Sequence, residues 1–406
     1  MKREITHAPR PLGRALRGHA RAPRLVAALL GLTLATSACG ASAARQVAAA
    51  RAARATASRA TEAPVLPRPT GPHAVGRTTL HLVDRHRPDP WVPSAGPRQL
   101  MVSVYYPARI GTGGPAPYMT TEEARLFLQE KAPGVGVPPE MLSATRTYAH
   151  TGARPAPGRF PLVLLSPGLG FPRATLTGLA EDLASRGYVI ALVDHTYENS
   201  GTTFPDGRTL ACVICDRPPA GGPAAIAQSR AKDVSFVIDR LTAHHPAWPY
   251  ARLIDPRRIG MAGHSIGGNA SATTMATDHR VRAGVNMDGT FYEPVPATGL
   301  GHRPFLMFGA EHEAPGIDPT WQQSWSSLNG WKRWLTVAGA DHGTFTDLPV
   351  LSAWVGRPGT GISAQRAEEV TRTYVGAFFD LNLKGIPQPL LDGPSPADPE
   401  VTFQSP

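Results

Sequence analysis

Short, uninterrupted apolar runs alternate with amphipathic segments along the middle of the chain. Such runs predict strands that are buried on both faces, at 160–165, 188–193, 259–262, 281–287, 304–308 and 334–337. Apolar residues at helical spacing, or small residues in the case of 269–276, predict helices at 174–186, 224–244, 269–276 and 368–383. This alternation favours an α/β fold, with a mostly parallel central sheet and helices on both faces.

Two further strands are predicted before this alternation, at 78–83 and 99–106. The loop 84–98 that joins them contains four prolines, which predicts an antiparallel N-terminal edge of the sheet. Segment 111–157 then interrupts the sheet, and its part 120–131 is expected to be a helix capped by Thr120 or Thr121. Two interpretations of this insertion stay open: a cover over a functional site, or a solvated decoration.

The N-terminus has the pattern of an export signal. A basic stretch ends at Arg24, and the apolar run 25–38 is too short to span a bilayer comfortably. Cys39 follows in a context that resembles a lipobox, which predicts a lipid anchor on the outer face of the cell membrane. Ala41-Ser42-Ala43 fits ordinary cleavage and secretion instead, and a basic tail on a cytosolic protein is the third alternative.

Charge and composition divide the chain further. The first 60 residues contain eleven Lys and Arg residues and one acidic residue, whereas the remainder has 30 of each sign. The net charge of +10 therefore belongs to the N-terminal segment, and we expect no nucleic-acid partner. The resulting assignment is a signal peptide at 1–39, a flexible linker at 40–70, one α/β domain at 71–392 with the insertion 111–157, and a tail at 393–406.

Two cysteines remain after the signal segment, Cys212 and Cys215, in the sequence Cys-Val-Ile-Cys. A zinc site would require further ligands, and a redox motif would require a thioredoxin-like context, neither of which is evident. In an oxidising compartment, a local disulfide between Cys212 and Cys215 is the favoured interpretation. Two unpaired, unreactive thiols are the alternative.

Residues 263–267 read Gly-His-Ser-Ile-Gly, between the strand predicted at 259–262 and the helix predicted at 269–276. A strand, a tight turn and a helix form the context in which a G-x-S-x-G motif presents a reactive serine. Gly263 and Gly267 leave room for the turn, and Gly268 lets the helix approach the sheet. Ser265 is therefore the candidate nucleophile, against the alternative of a Gly-rich turn without chemistry.

A serine hydroxyl requires a base and an orienting acid, which follow it in this architecture in the order acid, then histidine. His342 lies in a loop of small residues after the strand predicted at 334–337, whereas His279, His302 and His312 are expected to be solvated. Asp288 directly follows the strand predicted at 281–287. Glu311 and Glu313 follow the next strand, so they remain alternative acids.

The motif Gly-His-Ser-Ile-Gly-Gly, the segment Leu-Leu-Ser-Pro-Gly-Leu-Gly-Phe at 164–171 and the spacing of Ser265, Asp288 and His342 together resemble the plasma-type (isoform II) platelet-activating-factor acetylhydrolases and their bacterial relatives. The resemblance covers roughly residues 77–385. It implies an α/β-hydrolase fold and a Ser265–Asp288–His342 triad. The family often has Ser-His-Gly where this chain has Ser166-Pro167-Gly168, so any role of that histidine is absent here.

An acyl-transfer site also requires donors for the oxyanion of its tetrahedral intermediate. The N–H of Ile266, next to the serine, is one expected donor. The resemblance implies the N–H of Leu169, in the turn after the strand predicted at 160–165, as the other. A plain strand-to-helix turn at 166–170 is the alternative.

The resulting expectation is an exported serine esterase that acts on short-acyl esters, including acetyl esters of phospholipids, without a metal or organic cofactor. We expect a monomer whose partner is a small-molecule or lipid ester. A lipase or polyester hydrolase of the same fold is one alternative. A surface binding protein that retains the scaffold without turnover is the other.

Overall fold

The computed structural model describes residues 62–357, 359 and 361–405. The expected signal peptide, Cys39 and the linker up to residue 61 therefore lie outside the described part. Within that part, no helix combines the length and apolar character that a membrane span requires.

The strands, in chain order, are β1 (Ala74–Pro88), β2 (Pro97–Ala108), β3 (Gly114–Pro115), β4 (Ala149–Thr151), β5 (Phe160–Ser166), β6 (Val189–His195), β7 (Thr202–Thr203), β8 (Thr209–Leu210), β9 (Ile254–His264), β10 (Val281–Met287), β11 (Phe305–Ala310), β12 (Lys332–Val337) and β13 (Val401–Phe403). The α-helices are α1 (Thr121–Lys131), α2 (Pro139–Ser143), α3 (Thr177–Ser185), α4 (Gly222–Thr242), α5 (Ile266–Thr277), α6 (Pro319–Ser327), α7 (Leu348–Trp354) and α8 (Ala364–Lys384). Every strand and helix predicted from the apolar pattern is present, with boundaries shifted by a few residues.

Eleven of the strands form one sheet in the order β13-β12-β11-β10-β9-β5-β6-β2-β1-β4-β3. The central strands from β6 through β5, β9, β10 and β11 to β12 are parallel, whereas β1 and β2 add an antiparallel N-terminal edge. Strands β7 and β8 form a separate two-stranded sheet. The predicted α/β-hydrolase fold is confirmed, and its parallel strands bring their carboxyl ends to one edge.

Alternating side chains of the central strands build two cores, one on each face of the sheet. Val163 and Leu165 of β5 pack with residues of α3 and α8, whereas Leu162 and Leu164 pack with residues of α4 and α5. A strand buried on both faces needs an apolar residue at every position, which explains the uninterrupted runs in the sequence. The cores fix the strand ends on which the functional side chains lie.

Two predicted boundaries are wrong. Residues from 62 to 70, expected in the flexible linker, are packed: the N–H of Leu66 donates to the carbonyl of Arg146 at 3.0 Å, and Leu66 is buried. The N–H of Thr70 donates to Asp182 at 2.8 Å. In the expected tail, β13 pairs antiparallel with β12 and extends the sheet. Both segments are stabilised by backbone hydrogen bonds to distant residues, which local sequence patterns do not reveal.

Within the insertion, α1 follows the short strand β3, and its first turn is closed by a capping box. The Thr120 hydroxyl accepts from the N–H of Glu123 at 3.1 Å, and the Glu123 carboxylate accepts from the N–H of Thr120 at 2.9 Å. The end of α1 reaches the turn after β5, since the Lys131 ammonium lies 4.6 Å from the centre of the Phe171 ring. The insertion therefore packs beside the edge of the sheet that carries the candidate site.

Candidate active site

Ser265 occupies a sharp turn between the last residue of β9 and the first residue of α5. Its backbone angles are φ 57° and ψ −127°, in a region that a residue with a side chain rarely adopts. A Cβ atom on Gly263 would overlap the backbone of Gly267, and one on Gly267 would overlap the carbonyl oxygen of Ser166. The glycines of the motif are therefore required by close backbone approach, and the turn presents Ser265 at the end of the strand.

His342 and Asp288 are joined by a hydrogen bond of 2.6 Å between Nδ1 and Oδ2. Asp288 is buried directly after β10, and its Oδ1 accepts from the N–H of Ala310 at 2.7 Å. Burial alone would raise the pKa of the Asp288 carboxyl, but hydrogen bonds from His312, His342 and Ala310 outweigh it and lower the pKa. Asp288 is thus held ionised and orients the His342 ring.

The two glutamates that remained alternative acids have other partners. Glu311 accepts from the N–H of Gly339 at 3.1 Å, and neither Glu311 nor Glu313 hydrogen-bonds to His342 among the described residues. The carboxylate of Glu313 instead lies 3.7 Å from His312. Asp288 is therefore the one of the three candidate acids that hydrogen-bonds to His342.

Backbone contacts tie Ser265 to the strand end that carries Asp288. The N–H of Ser265 donates to the carbonyl of Met287 at 2.8 Å, and a Cβ atom on Gly289 would overlap the Ser265 carbonyl oxygen. On the other side, His264 lies 4.7 Å from His342 between ring centres. The ends of β9, β10 and β12 therefore converge around Ser265, although no side-chain hydrogen bond of Ser265 is formed within the described residues.

Two backbone N–H groups lie free near the serine. Ile266 begins α5, and its N–H has no acceptor within the described residues; the same is true of the N–H of Leu169 in the turn after β5. The start of α5 touches this turn, because Gly267 lies against Ser166 and Pro167. The two predicted oxyanion donors therefore come from adjoining turns, and the helix N-terminus adds a favourable field for a negative charge.

Buried polar side chains support the turn from behind. The Ser166 hydroxyl lies 3.0 Å from Nε2 of His195, whose Nδ1 lies 2.8 Å from the Asp233 carboxylate. Arg230 donates to the Ser166 hydroxyl at 3.2 Å and to the carbonyl of Pro167. All five residues are nearly or fully removed from solvent. None of their charged groups is unpaired, since Arg98 also donates to the Asp233 carboxylate at 2.7 Å.

Asp194, His195 and Glu198 lie at the end of β6 and just after it, and the sequence alone permits two interpretations of them: a metal site, or a pocket wall with loop hydrogen bonds. The structure supports the second interpretation. Glu198 accepts from Arg98 at 2.9 Å and from Arg230 at 2.7 Å, and Asp194 pairs with Arg173. Guanidinium groups thus take the place that a cation would occupy. The Ser166–His195–Asp233 chain was missed, since its members lie 29 and 38 residues apart in sequence.

His264, the second residue of the motif, is buried beneath His342. Its Nε2–H donates to the carbonyl oxygen of His342 at 2.6 Å, whereas its Nδ1 has no partner within the described residues. Burial, followed by the proximity of His342, lowers the pKa of His264 to about 4. A neutral His264 therefore holds the backbone of the loop that carries His342.

His312 is exposed, as expected from the sequence, but it also contacts the acid of the site. Its Nε2 lies 3.3 Å from Oδ2 of Asp288, the same oxygen that His342 contacts. The hydrogen bond to Asp288 raises the pKa of His312 above its ordinary value. No motif marks this residue, and only the turn Glu311–Glu313 after β11 brings it to the site.

Cys212 and Cys215 form a disulfide, as predicted. Cys212 and the buried Ile214 between them belong to an apolar cluster with Ile226 and Ile266, and Leu169 packs against it. The disulfide loop therefore forms an apolar wall beside both expected oxyanion donors.

A strained serine between a strand and a helix, an acid–histidine pair at neighbouring strand ends and two free N–H groups define a carboxylic ester hydrolase of the α/β-hydrolase class. The sequence profile of platelet-activating factor acetylhydrolase, isoform II, matches residues 61–207 and 250–368. The chain belongs to this family.

Individual relatives are consistent with an esterase. The chain is 29% identical, over 377 residues, to a probable 1-alkyl-2-acetylglycerophosphocholine esterase of Arthroderma benhamiae, covering 82% of this chain and 92% of that protein. Identity to the platelet-activating factor acetylhydrolase of Canis lupus familiaris is 22%, over 47% of this chain and 49% of the relative. Among solved structures, a ferulic acid esterase from Streptomyces cinnamoneus matches with a TM-score of 0.76 and 46% identity, covering 84% of this chain and 99% of that one.

Proposed function

We propose that this carboxylic ester hydrolase is an exported, monomeric serine esterase that uses Ser265 as nucleophile, His342 as general base and Asp288 as orienting acid. The observation that carries the proposal is the hydrogen bond of 2.6 Å between His342 and Asp288, beside the strained backbone of Ser265. These are the three roles that nucleophilic acyl transfer requires.

The reaction begins when Nε2 of His342 takes the Ser265 proton and Oγ attacks the ester carbonyl. Asp288 keeps the His342 proton on Nδ1, so that Nε2 presents a lone pair to the serine, and stabilises the imidazolium that forms. The imidazolium then donates its Nε2 proton to the leaving alcohol, which leaves an acyl-enzyme on Ser265. Water, deprotonated by the same nitrogen, releases the carboxylic acid and restores the serine.

Charge that develops on the carbonyl oxygen is met by the N–H groups of Leu169 and Ile266. Neither N–H group has another acceptor within the described residues, so no internal hydrogen bond has to break when the oxyanion forms. Ser166, Arg230 and Pro167 hold the turn that carries Leu169 through buried hydrogen bonds. We assign Ser166 and Arg230 as positioning residues for the oxyanion site.

The substrate class has two supported candidates. Esters of aromatic acids such as ferulic acid are favoured by the 46% identity to the ferulic acid esterase and by the apolar wall of Ile214, Ile226 and the partly buried Trp91 next to Leu169. Acetyl esters of glycerophosphocholines are favoured by family membership and by the Arthroderma relative. The first candidate has the stronger support, because the more similar relative aligns over nearly its entire length.

A substrate panel tests this proposal. We expect hydrolysis of methyl ferulate and p-nitrophenyl acetate, with kcat/KM on p-nitrophenyl octanoate at least about tenfold lower. A dominant octanoate activity would instead indicate a lipase or polyester hydrolase. Preference for 1-alkyl-2-acetylglycerophosphocholine over methyl ferulate would support the second candidate. The Ser265→Ala variant is the control, since no substrate should be turned over by it.

Export is proposed from the N-terminal pattern and from the disulfide, which is typical of an oxidising compartment. Mass spectrometry of the protein from its native host tests it. A mature N-terminus at Cys39 with an attached lipid supports anchoring, a terminus after Ala43 supports secretion, and an intact Met1 on a cytosolic protein contradicts export.

A further inference from the structure

Two histidines from different loops meet at one carboxylate oxygen. Nδ1 of His342 and Nε2 of His312 lie 2.6 Å and 3.3 Å from Oδ2 of Asp288, and the three atoms lie within 4.8 Å of one another. The proposed esterase mechanism uses only the first of these contacts. His312 therefore gives the site a second imidazole that catalysis does not require.

We propose that His312, Asp288 and His342 bind a divalent transition-metal ion of the zinc type, and that this ion reversibly inhibits the esterase. The inhibitory part rests on the proposed catalytic role of His342, whereas the binding part does not. Two imidazoles and a carboxylate are ligands that Zn²⁺ accepts, and they leave a fourth position for water.

The ligand spacing fits this ion. With metal–ligand bonds of about 2.0–2.2 Å, two ligands of a tetrahedral zinc ion lie about 3.3 Å apart. His312 and Asp288 already have this separation, at 3.3 Å. The shorter pair, His342 and Asp288, must widen by less than about 1 Å as the ion replaces the proton on Nδ1. The side chains of His312 and His342 are 51% and 50% exposed, so an ion can reach the site from solvent.

A second observation points to a cation at this place. Glu313 is buried, and its Oε2 has no hydrogen-bond partner within the described residues. Its Oε1 lies 3.7 Å from Nε2 of His312. A buried acid oxygen without a hydrogen-bond partner is unfavourable, and a cation held by the neighbouring His312 and Asp288 would reduce that cost.

The inhibition follows from the tautomer of His342. When a metal occupies Nδ1 of a neutral imidazole, the ring proton resides on Nε2. Nε2 then has no lone pair for the Ser265 proton, so the base is lost while the fold is retained. Removal of the metal returns the proton to Nδ1 and restores activity.

The test uses the purified protein in a buffer that does not bind metals. Calorimetric titration with ZnCl₂ should give one site in the wild type, with affinity reduced at least about tenfold in His312→Ala. Zinc should inhibit hydrolysis of p-nitrophenyl acetate by the wild type, with recovery on addition of EDTA. His312→Ala should be inhibited at least about tenfold less sensitively, relative to its own metal-free rate. His279→Ala, an exposed histidine outside the site, should bind and respond to zinc as the wild type does.

The Ser265→Ala variant separates the two proposals, because the serine is not a ligand. It should bind zinc as the wild type does while lacking activity. Equal zinc affinity or equal sensitivity in wild type and His312→Ala would overturn the metal site. Binding at His312 without inhibition would overturn its inhibitory role. If Ser265→Ala retained full esterase activity, the proposed mechanism would be overturned. The conclusion that His312, Asp288 and His342 bind zinc would not be affected.

Discussion

The N–H of Ser265 donates to the carbonyl oxygen of Met287 at 2.8 Å, and Met287 directly precedes Asp288. A single backbone hydrogen bond thus links the proposed nucleophile to the strand end that carries the acid. Because β9 and β10 are parallel neighbours, this link fixes their carboxyl ends relative to each other. The position of the site is therefore a property of the sheet and not of a loop alone.

Asp288→Asn should lower kcat about 10⁴-fold while the protein remains folded. The amide cannot hold the His342 proton on Nδ1, so the wrong tautomer faces the serine. Kinetics on p-nitrophenyl acetate, together with circular dichroism, provide the measurement. Glu311→Gln, at the acid that contacts Gly339, is the matched control and should remain within about threefold of wild type. A larger loss for Glu311→Gln than for Asp288→Asn would reverse the assignment of the acid.

Gly267→Ala should abolish most activity and lower the free energy of unfolding by about 1–3 kcal/mol. The added methyl group would overlap the carbonyl oxygen of Ser166, which forces α5 away from the turn that carries Leu169. Gly393→Ala is the control, because no atom lies within 4 Å of a Cβ placed there. The melting temperature and the turnover of the control should both be unaffected. A Gly267→Ala enzyme with normal kcat would contradict the inferred close approach of Gly267 to the Ser166 carbonyl oxygen.

Ser166→Ala should lower kcat about tenfold with little change in KM. The substitution removes the hydroxyl that Arg230 and His195 contact, so the turn that carries the N–H of Leu169 becomes less ordered. A weakened transition-state donor should lower kcat and leave KM nearly unchanged. A general loss of folding would instead change kcat and KM together and lower the melting temperature. Ser326→Ala, at an exposed position of α6, should behave as wild type. An unchanged kcat in Ser166→Ala would remove its positioning role.

The buried His264 should make stability depend on pH. Its pKa is about 4 in the folded protein against 6.5 in the unfolded chain, so below pH 6.5 the unfolded chain binds a proton that the folded protein does not. The free energy of unfolding should therefore fall as the pH falls from 6.5 towards 4, by about 2–3 kcal/mol at pH 4.5 from this residue.

Urea denaturation of the wild type and of His264→Gln at pH 7 and pH 4.5 measures this contribution. The glutamine can still donate to the carbonyl oxygen of His342 but does not titrate. The difference in unfolding free energy between the two pH values should be smaller in His264→Gln by about 2–3 kcal/mol. Equal pH dependence in the two proteins would show that His264 does not stay neutral in the fold.

The central fold could be predicted because its signal is local. Strands such as β5 and β6 are buried on both faces, so their sequences are apolar throughout, and the helices between them carry one apolar stripe. In contrast, β13 and residues 62–70 depend on hydrogen bonds to distant segments, and α6 and α7 are short helices that were missed. Tertiary contacts determine these elements, and the local sequence does not encode them strongly.

The residues of the candidate site also differ in whether the local sequence reveals them. Ser265 could be found from its glycines, because close backbone approach leaves a mark on the sequence. Asp288 required a family resemblance, since Glu311 and Glu313 also follow a strand. His312 and the Ser166–His195–Asp233 chain had no motif, because folding joins side chains that lie far apart in sequence.

Covalent labelling of Ser265 tests the central claim most directly. The purified protein is treated with a fluorophosphonate probe, digested and analysed by mass spectrometry, beside the variants Ser265→Ala and His342→Ala. The proposed mechanism predicts one labelled site, Ser265, in the wild type, no label in Ser265→Ala and greatly slowed labelling in His342→Ala. Label on another residue, or equal labelling rates in wild type and His342→Ala, would contradict it.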